Sequence, residues 1–465
     1  MSVTRTERLT ASTVAGARAA MRPSYDRSSA PVIVHIGFGA FARAHLGVYA
    51  DELLRLGHPA LISGVSIRSR RAQDQLTPQD GLYTVAEREP GEDVTLRVIG
   101  ALASMETGPA AALQAIAAPA TKLVTLTITE KGYEVARDDH ASPEAPASAP
   151  AIIARALASR RRTGMQPPVF ASLDNVLDNG HVLRSRVIEA AHRFDPALAE
   201  WIAAEAVFPR SVVDRMVPAS TEHDLEDIGS RLGLIDRAAV SAERHRSWTI
   251  EAVERLAPLA EAGVELVTDT SPYERRKLWL LNGPHSAVAY GGLLMGCDTI
   301  ARAALQPSIA AFVPRLVDEI LEVAAFPMAL HPARFAGEAL RRFANPTLGH
   351  TCVQVGADGS SKLPQRMLPV VVARRVRGLD TAAFALVVAI WIAATAAIPL
   401  RGVTLPPLED PIRPDLRDAA SRGAGLHEMA QTALGEQWEP PFVAEVASKL
   451  RDLVEAGPAA LEDPR

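Results

Sequence analysis

Lys277, Asn282 and His285 stand in the stretch ERRKLWLLNGPHSAVAYGG with a Lys-x4-Asn-x2-His spacing. Each residue type has a chemical use. A lysine whose surroundings lower its pKa toward neutrality exchanges a proton as a general acid or base. A neutral asparagine amide donates to a carbonyl oxygen that is gaining negative charge. A histidine holds a neighbouring amine in place or shares its proton. On a continuous α-helix, at about 100° per residue, Asn282 falls about 140° and His285 about 80° around from Lys277. The three then share one broad face, with His285 in the middle. The same spacing also fits a helix with three polar residues and no chemistry. Pro284 disturbs either reading, because an interior proline removes a donor, crowds the carbonyl of Leu280 and costs roughly 3 kcal/mol. Either the helix kinks there or a new one starts near Pro284.

A second group of residues sits far upstream. Gly37-Phe38-Gly39-Ala40-Phe41-Ala42 matches G-x-G-x-x-A, where an apolar strand ends and a helix opens. In that context Gly37 permits a tight turn and Gly39 lets the backbone approach a pyrophosphate. Ala42 allows close helix–sheet packing, and Phe38 and Ala40 complete the loop. A glycine turn without a ligand is the plainer alternative. The second strand of such a unit normally ends in an Asp or Glu that binds the ribose hydroxyls of NAD. Here the run is Ile67-Arg68-Ser69-Arg70-Arg71, with no carboxylate. Arg70 or Arg71, with Arg68 beside them, could meet the 2′-phosphate of NADP instead, or all three could be solvated loop residues. NAD(H) and NADP(H) both remain open.

The elements that must position these residues can be read from the periodicity. PVIVHIGFG, ALISGVSI, TKLVTLTIT and PPVFASLDN read as strands. AFARAHLGVYADELLRLG reads as one helix with Leu46, Tyr49, Leu53 and Leu56 on one face, closed by Gly57. AIIARALASRRRTG is a further helix, and RDDHASPEAPASAP a surface loop. This β-α-β alternation predicts an α/β fold with a doubly wound parallel sheet of Rossmann type. From about residue 271 helical patterns take over. The expected division is an N-terminal arm over 1–29, mobile or docking, a dinucleotide-binding domain over 30–275, and a mainly α-helical substrate domain over 276–465.

Bulk composition narrows the classes. The chain of 465 residues is 22% charged and 48% apolar, with net charge −5 and no Lys/Arg block. Nucleic acid is therefore not the expected partner. Cys297 and Cys352 are the two cysteines, which excludes a disulfide framework and a four-cysteine zinc site. A cytoplasmic enzyme without a metal, monomeric or a small homo-oligomer, is expected. Thr381–Leu400 is 20 residues without a charge, long enough to span a bilayer. Its alanines and Pro399 favour a buried helix and no membrane association.

Three blocks then converge. IGFGAFARAH at 36–45, FPRSVVDRMVPAS at 208–220 and the Lys-x4-Asn-x2-His stretch resemble the polyol-specific long-chain dehydrogenases, the mannitol dehydrogenase family. TITEKGY at 127–133, SLDNVLDNG at 172–180 and DGSSKLPQR at 358–366 also resemble that family's blocks, in the same order. The resemblance implies a Rossmann-type domain, a helical C-terminal domain and an active site in the cleft between them. It implies NAD(P)-linked, metal-independent interconversion of a secondary alcohol and a ketone on a sugar-like substrate. It makes Lys277 the general acid/base, Asn175 and Asn282 the oxyanion-stabilising pair, and His285 the residue that orients substrate or lysine. Asp214 would lie near substrate and nicotinamide, and Glu274 and Glu130 along the proton path. Ala206 and Met216 are conservative departures from the family's pattern.

The segment 342–366 resembles the fructuronate reductase (mannonate dehydrogenase) branch more than the mannitol 2-dehydrogenase branch. Gln354 stands where mannitol-type enzymes tend to carry an arginine, and Lys362 could meet a hydroxyl or a sugar carboxylate. A ketouronate/aldonate pair is the expected substrate, with fructose/mannitol or arabinitol as the alternative. A nucleotide-binding sensor without chemistry is the reading from a different class, and the complete set Lys277, Asn175, Asn282 and His285 weighs against it.

Overall fold

The structure, a computed structural model, describes residues 7–128, 130–136 and 148–461. The chain forms two compact units, Met1–Ser271 and Pro272–Arg465. The strands in chain order are β1 (Ile33–Ile36), β2 (Ile62–Ser66), β3 (Tyr83–Arg88), β4 (Thr95–Ile99), β5 (Leu102–Thr107) and β6 (Leu123–Leu126). They continue with β7 (Val169–Ser172), β8 (Ser211–Asp214), β9 (Val240–Glu243), β10 (Ser247–Glu251) and β11 (Glu265–Val267).

The main sheet of the first unit has the order β5-β2-β1-β6-β7, and every pairing in it is parallel. All four residues of β1 are buried, as a strand covered on both faces requires. Ile33 packs into one apolar cluster with Ala42, Leu46 and Tyr49. Val34 and Ile36 pack into another with Ile152, Ile153 and Leu183. The sheet therefore has helices on both faces. The chain passes outward through β2 and β5, then returns beside β1 to lay down β6 and β7. That reversal puts the switch point between β1 and β6, at their carboxyl ends.

His35 ties these two strands together from inside. Its Nδ1 lies 2.8 Å from the Thr125 hydroxyl and its Nε2 2.9 Å from the Thr127 hydroxyl. Complete burial pushes its pKa down to about 3, so the ring is neutral.

The single helix expected after the glycine turn is two helices, α1 (Ala40–Ala44) and α2 (Leu46–Arg55). The break falls at His45, whose backbone leaves the helical region (φ −104, ψ −81). Its ring is stacked on Phe41 at 5.0 Å, with Tyr49 and Trp248 alongside, and its Nε2 lies 2.9 Å from the Ser247 carbonyl oxygen. Leu46, Tyr49 and Leu53 are buried as expected, but Leu56 is 52% exposed. It lies beyond the last helical turn, just before Gly57 reverses the chain at φ +88.

Two small sheets, ordered β11-β10-β8 and β4-β3-β9, were not anticipated. Residues of the N-terminal segment lie along this unit. Arg8 bridges to Ile235, Met21 bridges to Arg97, and Leu9 is fully buried. Of the expected loop RDDHASPEAPASAP, residues 137–147 lie outside the described residues, and Ala149 and Pro150 open the helix Ala149–Arg162.

The second unit is helical. Its centre is the helix Ala382–Ala396, in which every residue is buried. Trp391 of that helix donates its indole N–H to Asp410 at 2.9 Å. Among the described residues no helix is long and apolar enough to cross a membrane.

Candidate active site

The glycine turn leaves β1 at the switch point. Gly37 has φ +91, and a Cβ there would sit 2.1 Å from the Thr127 carbonyl oxygen. Only glycine satisfies both constraints. The Thr127 hydroxyl donates to the Gly37 carbonyl at 2.7 Å, which fixes the turn against the end of β6. At Gly39 the nearest atom to an added Cβ is 3.7 Å away, so the space above the backbone is open. Ala42 is fully buried where α1 meets the sheet. Phe38 is buried too, with its ring edge-on to His35 and Tyr83. Phe38 can therefore offer a ligand its backbone and not its ring.

A cleft of about 400 Å³ opens over Gly37, Phe38, Gly39 and Ala40 and extends past Ser66 and Ser69 to Arg71. The open backbone at Gly39 and the length of this cleft fit the pyrophosphate and adenosine of a dinucleotide. Of the three arginines expected here, Arg71 lines the cleft. Arg68 is exposed and does not line it. Arg70 is exposed as well, with its side chain turned toward Asp74 at 3.8 Å.

Asn175 lies on the loop after β7, where its neighbours set the backbone. The Asp174 carboxylate accepts from the Ile128 N–H at 2.9 Å and from the Tyr133 hydroxyl at 2.8 Å. Asn179 clasps Ser211 from both sides, donating to its carbonyl at 2.8 Å and accepting its N–H at 3.0 Å. The loops after β6, β7 and before β8 are thereby locked together, and Asn175 is left exposed between the two clasps. The side chain of Glu130 lies outside the described residues. Asp214 ends β8 nearly buried, with His245 Nε2 3.4 Å from its carboxylate. Its neighbour Arg215 is a structural tie. The Arg215 guanidinium reaches Glu87 at 2.7 Å and the Glu243 carbonyl at 2.8 Å, and it also bonds the Ala44 carbonyl that ends α1.

Lys277 closes a short α-helix, Ser271–Lys277. The next five residues, Leu278–Asn282, form a π-helical turn, and an α-helix then runs over Gly283–Leu294. The Gly283 N–H reaches the carbonyl of Leu278, five residues back. This replaces the continuous helix with its 140° separation. A π turn inserts one residue, which rotates the residues after it by about 100° relative to an α-helix. Asn282 then falls about 40° from Lys277 on one side and His285 about 20° on the other. The spread narrows to about 60°, and the three residues line up along one strip. Pro284 sits in the first turn of the new helix, where its missing N–H costs little. Glu274 stands one turn before Lys277 on the same helix.

Asn282 is 7% exposed, and its Nδ2 has no hydrogen-bond partner among the described residues. Its backbone is held firmly: Arg366 donates to the Asn282 carbonyl at 3.3 Å and to the Ser286 hydroxyl at 2.8 Å. The His285 ring is stacked on Phe343 at 4.6 Å and 7° between planes, with His350 6.4 Å away. Stacking fixes the plane of the imidazole.

Lys362 donates to the Ala357 carbonyl at 2.6 Å, and the Asp358 carboxylate lies 3.9 Å from the same ammonium. Gln354 is the third residue of a capping box: it accepts the Thr351 N–H at 3.3 Å, while the Thr351 hydroxyl accepts its N–H at 3.2 Å. Arg215 and Arg366 escaped the sequence reading. Arg366 carried one usable signal, a charge flanked by Leu363 and Met367 in a block already singled out.

A parallel sheet of this order with a glycine turn at its switch point is a dinucleotide-binding unit. Comparison with known proteins narrows the class. Residues 31–261 match the mannitol dehydrogenase Rossmann domain and residues 269–454 the mannitol dehydrogenase C-terminal domain. The chain belongs to the mannitol dehydrogenase family, whose members are NAD-dependent oxidoreductases acting on CH–OH groups. The D-mannonate oxidoreductase of Escherichia coli (strain K12) is 37% identical over 410 residues, covering 82% of this chain and 83% of that protein. The mannitol 2-dehydrogenase of Cereibacter sphaeroides is 35% identical over 430 residues, covering 87% and 89%. The mannitol 2-dehydrogenase of Pseudomonas fluorescens, solved as a ternary complex with NAD and D-mannitol, superposes with a TM-score of 0.89 at 28% identity over 98% of each chain. Among the described residues no group of three or more His, Cys, Asp or Glu could hold a metal ion.

Proposed function

We propose that this enzyme interconverts the secondary alcohol of a sugar acid or polyol with the corresponding ketone, and that mannonate and fructuronate are its substrate pair. Two observations support the catalytic reading. A π turn stands between Lys277 and His285, which by helical geometry brings Lys277, Asn282 and His285 toward one strip. The buried Asn282 amide has no partner among the described residues. The nicotinamide, when bound, supplies or accepts the hydride.

Lys277 is the general acid/base. In ketone reduction its ammonium gives a proton to the substrate oxygen; in alcohol oxidation its neutral amine takes the hydroxyl proton. Asn282 and Asn175 donate to the same oxygen as it gains charge, each worth roughly 3 kcal/mol in the transition state. His285, its ring plane set by Phe343, orients the substrate hydroxyls or the lysine. Asp214 lies beside substrate and nicotinamide. Glu274, one helical turn from Lys277, carries protons to and from it, and Glu130 serves the same path. Lys362, a cation with several N–H donors, meets the substrate carboxylate.

The lean toward a sugar acid is supported by Lys362 and by the similarity of segment 342–366. Fructose and mannitol are the second reading, favoured by the 35% identity to a mannitol 2-dehydrogenase. The Gln354 amide occupied in a capping box weakens one argument between them, since that glutamine has a structural reason to be there. A spectrophotometric panel decides the matter. Purified protein receives NADH or NADPH with fructuronate, tagaturonate, fructose or xylulose. Fructuronate is expected to have the highest kcat/KM; a higher value for fructose would overturn the substrate assignment. Lys277→Ala should bind nucleotide normally and lose roughly 10²–10⁴-fold in kcat. Near wild-type turnover in that variant would remove Lys277 from the acid/base role.

A further inference from the structure

The adenosine end of the nucleotide cleft is arginine-rich and lacks a feature that NAD sites of this fold use. β2 ends at Ser66, and residues 67–71 contain no carboxylate to accept the two ribose hydroxyls. The cleft that starts over Gly37–Ala40 runs instead to Arg71 and Arg237. A second cavity of about 470 Å³ shares both of these arginines as walls and adds Arg8. The two acids on these walls each face an arginine: Glu222 lies 3.1 Å from Arg237, and Asp74 lies 3.8 Å from Arg70. No ion pair of Arg71 or Arg8 is found among the described residues. Arg43 lines the same cleft; burial lowers its pKa, Tyr83 and the buried Asp236 offset part of that, and the charge of Arg71 adds to it. Like charges therefore face one cleft with too few acids to balance them.

We propose that Arg71 and Arg237 form a subsite for a phosphate on the 2′ oxygen of the adenosine ribose, and that this enzyme binds NADP(H) more tightly than NAD(H). The inference rests on the cleft being the dinucleotide site. Guanidinium groups from two elements, the start of the helix Arg71–Leu76 and the segment before β9, would clamp one phosphate dianion. Each can bond it in a bidentate fork, which a ribose hydroxyl cannot match. A carboxylate at the end of β2 would repel that phosphate, and none stands there; the exposed Glu222, which pairs with Arg237 on the cleft wall, is displaced from that arginine when the phosphate binds. The sequence by itself offered Arg70 or Arg71. Arg70 turns toward Asp74 on the exposed side, and Arg237, 166 positions further along the chain, takes the second place.

The test is equilibrium binding to the full chain, read by titration calorimetry with NADPH, NADH and the fragment 2′,5′-ADP. The wild type should bind NADPH roughly tenfold or more tighter than NADH and should bind 2′,5′-ADP in competition with NADPH. Arg71→Ala and Arg237→Ala should each weaken NADPH and 2′,5′-ADP by roughly tenfold while NADH changes by less than about threefold. Arg70→Ala should have a clearly smaller effect. Both arginines are at the surface, so neither change threatens folding. Tighter binding of NADH in the wild type overturns the subsite and leaves the dehydrogenase reading intact. Equal weakening of both nucleotides in the variants also overturns it, as does a loss in Arg70→Ala equal to that in Arg71→Ala. Failure of all three ligands to bind overturns the dehydrogenase reading together with the subsite.

Discussion

An amide N–H group held in the protein interior with nothing to bond costs roughly 1–3 kcal/mol. Among the described residues Asn282 carries such a group on Nδ2, with a lysine and a histidine at helical spacing on either side. A donor left open in the fold is available to an oxygen that acquires charge only during reaction. Asn282→Ala separates the two roles. Thermal stability should stay level or rise, while kcat for ketone reduction should fall roughly 10²-fold, as for loss of one oxyanion donor. A fall in stability with unchanged kcat would make Asn282 a structural residue. Gly37 presents the opposite case, a residue whose only contribution is the side chain it lacks. A Cβ would stand 2.1 Å from the Thr127 carbonyl in a backbone at φ +91. Gly37→Ala should therefore push β1 and β6 apart at the switch point, abolish the thermal shift given by nucleotide and lower the melting temperature of the apoprotein. An apoprotein as stable as the wild type would show that the turn can relax.

At the scale of elements, the π turn decides the site. An α-helix through Lys277 and His285 would spread the three residues over about 140°, whereas one inserted residue gathers them within about 60°. The widened turn weakens the local hydrogen-bond ladder, so it needs support from outside. Arg366, on the helix Gly359–Arg366, provides it by bonding the Asn282 carbonyl and the Ser286 hydroxyl. Arg366→Ala would leave both acceptors buried without that donor and free the Asn282 backbone to shift. The expected result is a kcat lowered roughly 10-fold or more with the dissociation constant for nucleotide unchanged, since a small displacement of a donor is costly in the transition state. Arg366→Lys, which retains a charge and a donor of similar reach, should recover part of that loss. Equal defects in the two variants would contradict a positioning role.

At the scale of the whole molecule, two histidines buried among the described residues contribute a pH dependence to stability. His35 and His45 each have a pKa pushed to about 3 by burial, against an ordinary value of 6.5. Between those values the unfolded chain takes up protons that the folded chain refuses. Stability is thus fully present above about pH 6.5 and falls as pH falls toward 3, by at most about 1.4 kcal/mol per pH unit for each ring. Denaturant midpoints measured from pH 7.5 to 4.5 should fall steadily, and His35→Gln should flatten the slope. A midpoint independent of pH over that range would mean that these rings are protonated in the fold.

Local features of the fold and candidate site are legible in the amino-acid sequence. The glycine turn could be read because Gly37, Gly39 and Ala42 each answer a local steric demand, which short spacing records. The parallel sheet could be read because strands buried on both faces, such as Ile33–Ile36, are apolar apart from a single internally bonded residue, His35. Lys277, Asn282, His285 and Asn175 could be singled out as candidates because their chemistry is carried by residue type in ordered blocks. The tertiary structure decided what depends on separation in space. It broke the helix at His45, where an aromatic cage outweighs helical propensity, and ended it at Arg55, which left Leu56 in solvent. It placed Asp174 and Asn179 as clasps around Asn175, and used Gln354 as a helix cap. It set Arg366 under Asn282 across 84 positions of sequence and Arg237 beside Arg71 across 166. Periodicity reports neighbours a few residues apart, whereas a hydrogen bond or a shared cavity wall between distant segments exists only once the chain has closed on itself.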